Sequence, residues 1–259
     1  MTSNNSKIQV LNQSIDNLTM DEVIDMVKKS IDGHKTISIA TVNPEFMVLS
    51  ARDKKFAQVL KGFTIKTPDG FGITLLPRIF WRGKFKARIT GADLSWRIFT
   101  LANKHGYRVL MLGASDEAAN AACRVLRGDC PSLKIKCISG GTINPFDANK
   151  KLLDDIKAFK TDILLVGLGS PKQEYFIDKY QKELGASVAV GIGGTIDFIA
   201  GSARRAPLWM RQIGLEWLWR VTLEPHRFRR ILNATIIFPC YYIGYLFHGS
   251  TEKISDNDN

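Results

Sequence analysis

Strand and helix signals alternate along most of this 259-residue chain. Short apolar runs rich in β-branched residues, such as Thr36 to Val42, are typical of strands, and stretches with apolar residues at helical spacing follow them. Thr19 and Glu22 form a capping-box pattern where one such helix begins. This alternation predicts an α/β fold, a Rossmann-like parallel sheet with helices on both faces. Ligands in such folds bind beyond the carboxyl ends of the strands.

Two helix starts bear on those carboxyl ends. Asn43-Pro44 is predicted to begin a helix that runs to about Leu60. Thr90 is predicted to cap a second helix, with Asp93 three residues later. Each helix therefore begins with polar side chains that are expected near the ligand face.

One segment combines a buried strand, a glycine turn and a helix start. Ile163 to Val166 is an apolar run, and the two glycines after it let the backbone turn sharply and approach a ligand. A helix N-terminus attracts phosphate, and the predicted helix starts with Ser170 as N-cap and Pro171 as its first residue. An ordinary strand-to-helix turn is an equal alternative. The candidate nucleotide-binding residues are Gly167, Gly169, Ser170 and Lys172, with Gln173 as a nearby amide.

Three further turns are expected at the same face. Asp69 follows a strand predicted over Phe63 to Lys66, where a carboxylate could accept a proton from a hydroxyl nucleophile, although Pro-Asp-Gly alone favours a plain turn. Thr41 and Asn43 end the preceding strand, and helix capping is the stronger local interpretation of Asn43. A second glycine turn, which suits a nucleotide or simply close packing, contains Gly191, Gly193 and Gly194.

Several common motifs are missing from the sequence. There is no G-x-G-x-x-G fingerprint, no G-x-x-x-x-G-K-[ST] phosphate loop and no G-x-S-x-G elbow. The one D-x-D, Asp256 to Asp258, lies in the C-terminal tail. The four cysteines form no C-x-x-C pair, which favours free thiols over a zinc site. We therefore expect no metal ion and no cofactor.

Positive charge is concentrated near the C-terminus. The formal net charge is +11, and residues 203–230 hold seven arginines against two glutamates. Such a segment predicts an anionic partner: nucleic acid, anionic lipid or substrate phosphate. Residues 231–247 then run without a charge, at the lower length limit for a membrane span. An appendage lying in the bilayer interface fits better, and a helix docked on the core or on another subunit is the alternative.

These patterns divide the chain into three parts. Residues 1–201 form the predicted α/β core, 202–248 an Arg- and Trp-rich membrane-associating appendage, and 249–259 a disordered tail. The polar N-terminus lacks a hydrophobic signal core, which predicts a cytoplasmic protein.

Six motifs stand in an order that resembles the WecG/TagA/CpsF family, glycosyltransferase family 26. Any one is weak, but together they are specific, and the resemblance covers about residues 8–232. The apolar stretch 231–247 is expected to extend beyond the usual end of the family pattern. The motifs are Thr41 to Glu45, Pro68 to Gly72, Arg88 to Asp93, Gly167 to Glu174, Gly191 to Asp197 and Glu216 to Arg220.

The resemblance implies an inverting, metal-independent glycosyltransferase. Such enzymes move a sugar, N-acetylmannosamine or a related hexose, from a UDP-sugar to a polyprenyl-diphosphate-linked acceptor at the inner membrane face, in teichoic-acid or other surface-polysaccharide synthesis. The family's base falls on Asp69. Its substrate-binding residues fall on Thr41, Asn43, Arg88, Gln173, Arg220, Arg227 and Arg230.

Other functions stay open at this stage. The glycine turns and basic tail also suit a non-catalytic nucleotide-binding scaffold tethered to a membrane. A nucleic-acid binder is less favoured, because the charge lies beside an apolar stretch and no nucleic-acid motif is present. The donor sugar and a homo-oligomeric state are not determined by the sequence.

Overall fold

The fold is a parallel sheet between two layers of helices. The computed structural model describes residues 6–141, 143–223 and 231–248. A two-stranded antiparallel hairpin precedes a six-stranded parallel sheet with strand order β4-β3-β8-β7-β5-β6. The strands are β1 (Lys7–Val10), β2 (Gln13–Asp16), β3 (Ile37–Val42), β4 (Ile65–Pro68), β5 (Arg108–Gly113), β6 (Lys134–Ile138), β7 (Ile163–Gly167) and β8 (Val188–Gly191).

The helices follow the predicted alternation and continue past the sheet. The core helices are α1 (Met20–Asp32), α2 (Pro44–Arg52), α3 (Lys54–Gly62), α4 (Phe71–Ile79), α5 (Gly91–His105), α6 (Asp116–Asp129), α7 (Lys150–Ala158), α8 (Lys172–Leu184) and α9 (Thr195–Ala200). The later ones are α10 (Leu208–Gln212), α11 (Glu216–Leu223) and α12 (Phe238–His248), which a π-helical turn (Asn233–Ile237) precedes. The predicted α/β fold is thus confirmed.

The sheet is buried on both faces because its strands are apolar throughout. Leu110 and Leu112 of β5 belong to one hydrophobic cluster, and the alternating Val109 and Met111 belong to the other. Each fully buried side chain of this size stabilises the fold by about 1.5–3 kcal/mol relative to an exposed one. Continuous apolar strands therefore require helices on both sides, as the sequence predicted.

Helix caps set several of the element boundaries. The capping box of Thr19 and Glu22 is present, and Thr90 accepts a hydrogen bond from the Asp93 amide. The prediction of one helix from Pro44 to about Leu60 is wrong. Asp53 is extended and its carboxylate caps α3, so the chain forms two helices, α2 and α3.

The β1–β2 hairpin and α4 were not predicted from the sequence. The hairpin protects the edge of the sheet, because Asp16 accepts a hydrogen bond of 2.8 Å from the amide of Lys66 in β4. The β4 strand itself lies two residues later than predicted, at Ile65–Pro68, which brings its end to Asp69.

The C-terminal segment packs back on the core. Phe238 and Tyr242 of α12 are buried in the cluster that contains Leu110, and the ring of Tyr242 lies 6.0 Å from that of Phe80. The interpretation of residues 231–247 as a docked helix is therefore right for one face of α12. Within the described ranges, no helix combines the length and apolarity needed to cross a bilayer. The predicted tail, residues 249–259, lies outside the described residues, and the division at residue 201 stays a prediction.

Candidate active site

A cavity of about 770 Å³ opens beyond the carboxyl ends of β3, β4, β7 and β8. Most of the residues predicted for the site meet there. Those that line the cavity are Thr41, Asn43, Asp69, Arg88, Gly167, Gly169, Ser170, Gln173, Gly193 and Gly194. We call the part formed by the turns after these four strands the sheet-end wall.

Five predicted residues are not among those that line the cavity. Lys172 is exposed on α8, and Gly191 lies behind the wall. The backbone of Arg220 belongs to α11, but its side chain is outside the described part of the structure. Arg227 and Arg230 also lie outside the described residues. The roles of all five as binding residues stay predictions.

Asp69 is held in a rigid turn at the end of β4. Its amide donates a 2.7 Å hydrogen bond to the carbonyl of Val42 in β3. Gly70 follows with φ +84°, and a Cβ there would lie 2.9 Å from Cδ of Pro44. Only glycine fits this left-handed, crowded position without strain. The turn thus fixes the Asp69 carboxylate at the ligand face.

Thr41 and Asn43 fix the neighbouring end of β3. The Thr41 hydroxyl donates to the carbonyl of Gly191 at 3.3 Å, which ties β3 to β8. Oδ1 of Asn43 accepts from the amide of Phe46 at 3.1 Å, so the predicted helix cap is confirmed. Because the cap uses the oxygen, the NH₂ of Asn43 is the part of the side chain suited to a ligand.

Gln173 joins the two glycine turns. Its Oε1 accepts a hydrogen bond of 3.0 Å from the amide of Gly193, and its Nε2 donates to Oε1 of Glu174 at 2.7 Å. Gly191 is needed for this arrangement, since a Cβ there would lie 2.7 Å from Gln173 Nε2. The role of Gly191 is therefore to make room for the amide that lines the cavity.

Glu174 is a fully buried carboxyl directly behind Gln173. Burial raises its pKa to about 7, against the hydrogen bonds from Gln173 and Ser170, which lower it. The nearby carboxylate of Glu45 raises it further. Sequence reasoning missed this group, because in the sequence Glu174 is only the last residue of the Gly167-to-Glu174 motif.

The prediction that Ser170 caps the following helix is wrong. The N-cap is Pro171, which has no side-chain acceptor, and α8 begins at Lys172. A left-handed turn at Gly169, with φ +76°, precedes it, and the amide of Gln173 donates to the Gly169 carbonyl at 3.0 Å. Ser170 itself faces the cavity.

Arginines from distant parts of the chain meet above the sheet-end wall. Nη1 of Arg205 lies 2.7 Å from a carboxylate oxygen of Asp93, and Arg88 donates to the carbonyl of Arg211 at 2.9 Å. Burial opposes the charge of Arg205, but Asp93 and the nearby Asp69 raise its pKa. Despite burial, the hydrogen bonds from Arg205 and Thr90 lower the pKa of Asp93. Both groups are thus charged at neutral pH.

Arg205 and Asp93 are functional candidates that the sequence reasoning missed. Asp93 was assigned only to a helix start, and Arg205 only to a basic segment. The Arg88-to-Asp93 motif was the available signal, because it places a carboxylate beside a predicted substrate-binding arginine.

The opposite side of the cavity is largely apolar. Gly214 has φ +82°, and a Cβ there would lie 2.3 Å from Cγ of Phe71, so the Phe71 ring packs directly on this backbone. α4 contributes Phe71, Leu75 and Leu76. We call the part contributed by residues 205–239 the C-terminal wall; it consists of Arg205, Gly214, Glu216, Trp217, Ile231, Ala234, Thr235 and Pro239. An amphiphilic ligand suits such a two-sided cavity.

Known proteins match this chain over most of its length. An N-acetylglucosaminyldiphosphoundecaprenol N-acetyl-beta-D-mannosaminyltransferase of Bacillus subtilis is 31% identical over 218 residues, 84% of each chain. The enzymes of the same name from Bacillus spizizenii and Staphylococcus aureus are 30% and 27% identical, over 84% and 90% of this chain and 82% and 91% of theirs.

The family model "Glycosyl transferase WecG/TagA/CpsF family" matches residues 8–251. Residues 231–247 thus lie inside the family pattern, and the expectation that they extend beyond it is wrong. With most of the motif residues gathered at one cavity, the sequence match and the site agree: the chain is a glycosyltransferase and belongs to the WecG/TagA/CpsF family.

Proposed function

We propose that this enzyme transfers N-acetylmannosamine, or a closely related hexose, from a UDP-sugar to a polyprenyl-diphosphate-linked N-acetylglucosamine. The names of the relatives support the sugar and the acceptor. The product belongs to teichoic-acid or related cell-surface polysaccharide synthesis. A two-sided cavity supports an acceptor with a charged head and an apolar chain.

The position of Asp69 carries the proposal. Its carboxylate lies on a turn that a backbone hydrogen bond and a crowded glycine hold rigid, at the same cavity as both glycine turns. A general base must be preorganised near the hydroxyl whose proton it accepts. Asp69 is therefore our candidate catalytic residue.

The donor nucleotide is assigned to the sheet-end wall. Gly167, Gly169 and Gly193 allow its phosphates to approach the backbone, and Gln173 offers a side-chain amide. Arg88 supplies a cation there without a metal ion. On the family resemblance alone, we add Arg220, Arg227 and Arg230 as groups that bind the diphosphates.

The proposed step is a single in-line displacement. The acceptor hydroxyl oxygen bonds to the anomeric carbon while its proton passes to the Asp69 carboxylate. The bond between that carbon and the UDP oxygen breaks, and its electron pair leaves with UDP. Arginine side chains stabilise the charge that grows on the leaving diphosphate. Inversion of an α-linked donor gives a β product, the configuration in the relatives' names.

The test is Asp69→Asn, measured by UDP release from UDP-N-acetylmannosamine in the presence of a short-chain prenyl-diphosphate-N-acetylglucosamine. General-base help is typically worth about 10²–10⁴ in rate, so turnover should fall by that factor while UDP affinity stays near the parent value. Asp178→Asn, on the exposed side of α8, is the matched control. Normal turnover in Asp69→Asn would refute the role of Asp69. If the parent binds UDP but releases no UDP from the UDP-sugar with any acceptor, the result would instead favour a nucleotide-binding scaffold.

We further propose that the enzyme works in the cytoplasm, peripherally at the inner face of the membrane. Exposed Leu208, Trp209 and Ile213 on and beside α10 support contact with lipid, and Arg204 and Arg211 lie on the same segment. Sedimentation of the full chain with anionic vesicles tests this part of the proposal.

A further inference from the structure

One tryptophan outside the C-terminal segment is almost fully exposed to solvent. Trp81 is 93% exposed and follows α4, with half-exposed Ile79 two residues before it. Together, these two side chains leave a large apolar area in water that contact with a partner surface would bury.

The loop holds Trp81 outward by a defined backbone geometry. Trp81 has φ +51°, a left-handed conformation that bulky residues rarely adopt. On either side, the amide of Phe80 donates to the Leu76 carbonyl at 3.1 Å and that of Arg82 to the Pro77 carbonyl at 2.8 Å. The exposed indole therefore lies on a hydrogen-bonded turn whose neighbours fix its direction.

The same turn is anchored to the C-terminal helix. The ring of Phe80 packs 6.0 Å from that of Tyr242, which is buried between α12 and the core. Further along α12, Phe247 is 79% exposed. Two adjacent residues thus have opposite roles. Phe80 packs against α12 and holds the loop there, whereas the side chain of Trp81 is exposed to solvent.

Positive charge surrounds the exposed indole. Arg78, Arg82 and Lys84 are exposed, and none forms an ion pair with a carboxylate within residues 6–141, 143–223 and 231–248. An aromatic tip flanked by unpaired cations is the composition that favours the headgroup level of an anionic bilayer. α4 links this loop to the cavity, which its residues Phe71, Leu75 and Leu76 line.

A second copy of the chain fits this surface less well. A stable protein interface buries about 800 Å² on each partner. Trp81 and Phe247, at about 150–250 Å² each, together with half of Ile79, fall well below that area.

We propose that the loop of residues 79–84 is a membrane anchor, which places the Trp81 indole among the headgroups of an anionic bilayer while Arg78, Arg82 and Lys84 contact lipid phosphate. The inference rests on the proposed function, because a lipid-linked acceptor requires the cavity to lie near the membrane.

The test compares the full-length parent with Trp81→Ser in sedimentation with vesicles of phosphatidylglycerol and phosphatidylcholine in equal parts. Removing the indole should lower vesicle binding roughly tenfold, from the apolar area withdrawn from water. Arg82→Gln should lower it about fivefold, and both effects should disappear with pure phosphatidylcholine. Transfer to the short-chain, water-soluble acceptor should stay at the parent rate in both variants.

Fluorescence gives a second measurement that needs no disruptive variant. The difference between the parent and Trp81→Phe isolates the emission of Trp81, which brominated lipid should quench and shift to the blue. Trp96→Phe is the matched control, because Trp96 lies on α5, in the helix layer opposite to α12. Its difference spectrum should not respond to lipid.

The two proposals fail in distinguishable ways. Unchanged vesicle binding by Trp81→Ser, with an unquenched indole in the parent, would overturn the anchor while transfer to the soluble acceptor continues. No transfer by the parent to any acceptor would overturn the proposed function, whatever the vesicles show. Self-association of the parent that Trp81→Ser abolishes, without lipid binding, would assign the surface to a second copy and refute the anchor.

Discussion

The sheet-end wall and the C-terminal wall line one cavity but are held in place differently. In the sheet-end wall, neighbouring strands fix one another: Thr41 bonds to Gly191, and Asp69 to Val42. The C-terminal wall depends on contacts such as Arg205 to Asp93, which are 112 residues apart in the chain. The first wall is thus part of the sheet, whereas the second is held against the core by a few polar and packing contacts.

This difference has a consequence for the two substrates. Under the proposed function, a rigid wall of backbone amides suits the nucleotide of the donor, whose phosphates are the same for every UDP-sugar. A wall docked through side chains suits the proposed amphiphilic acceptor. We therefore expect substitutions in the sheet-end wall to affect the donor and those in the C-terminal wall to affect the acceptor.

Gly191→Ala should give the largest effect of the three substitutions that test this comparison. The new Cβ would lie 2.7 Å from Gln173 Nε2 and 3.1 Å from Glu174 Oε1, so the buried pair must shift. Overpacking of this kind costs about 1–3 kcal/mol, and we expect a lower melting temperature and a KM for UDP-sugar raised at least about tenfold. Steady-state kinetics and thermal unfolding measure both.

Gly128→Ala is the control for that substitution. A Cβ at Gly128 on α6 meets nothing within 4 Å, so alanine should be neutral or slightly stabilising in the helix. If Gly191→Ala lowers the melting temperature but leaves the donor KM unchanged, Gln173 does not take part in donor binding.

Arg205→Gln should have the next largest effect, on the other wall. It removes the nearer of the two arginines that pair with Asp93, the other being Arg211 at 4.0 Å, and hydrogen bonds to charged groups contribute about 1.5–3 kcal/mol. We expect kcat/KM for the acceptor to fall about tenfold or more, with the donor KM within about twofold of the parent. Exposed Arg204→Gln is the matched control. An equal rise in both KM values would show that the two walls are not separable.

The sheet-end wall was predictable from the sequence because its signals are local. A buried strand followed by Gly167 and Gly169 predicts a turn at the carboxyl end, and parallel pairing brings Asp69 and Asn43 to the same edge. The errors there are local too. Asp53 interrupts a stretch with continuous helical spacing, and the helix after Gly169 begins two residues after Ser170.

The C-terminal wall could not be predicted in the same way. The packing of Phe71 on Gly214, and of Tyr242 beside Phe80, depends on residues far apart in sequence. The apolar composition of residues 231–247 predicts burial in lipid and burial against protein equally well, because the transfer of apolar area from water favours both. Only the fold shows that Phe238 and Tyr242 face the core while Phe247 does not.

Glu174→Gln should have the smallest effect on turnover and the clearest dependence on pH. Burial raises the pKa of Glu174 to about 7, so the folded protein keeps this carboxyl protonated at pH values where the unfolded chain has lost the proton. Its contribution to stability is fully present below about pH 4.5 and is lost as the pH rises to about 7. Glutamine keeps an oxygen that can accept from Gln173 Nε2 but cannot ionise. The variant should therefore gain stability relative to the parent between these pH values, by about 3 kcal/mol at most, and show no further gain above pH 7.

Urea unfolding at a series of pH values measures this difference, and UDP-sugar KM values from the same preparations show whether the Gln173 amide stays in place. A difference in stability that does not vary with pH would mean that Glu174 does not change its protonation on folding, and the pairing of Gln173 with a neutral carboxyl would then be wrong.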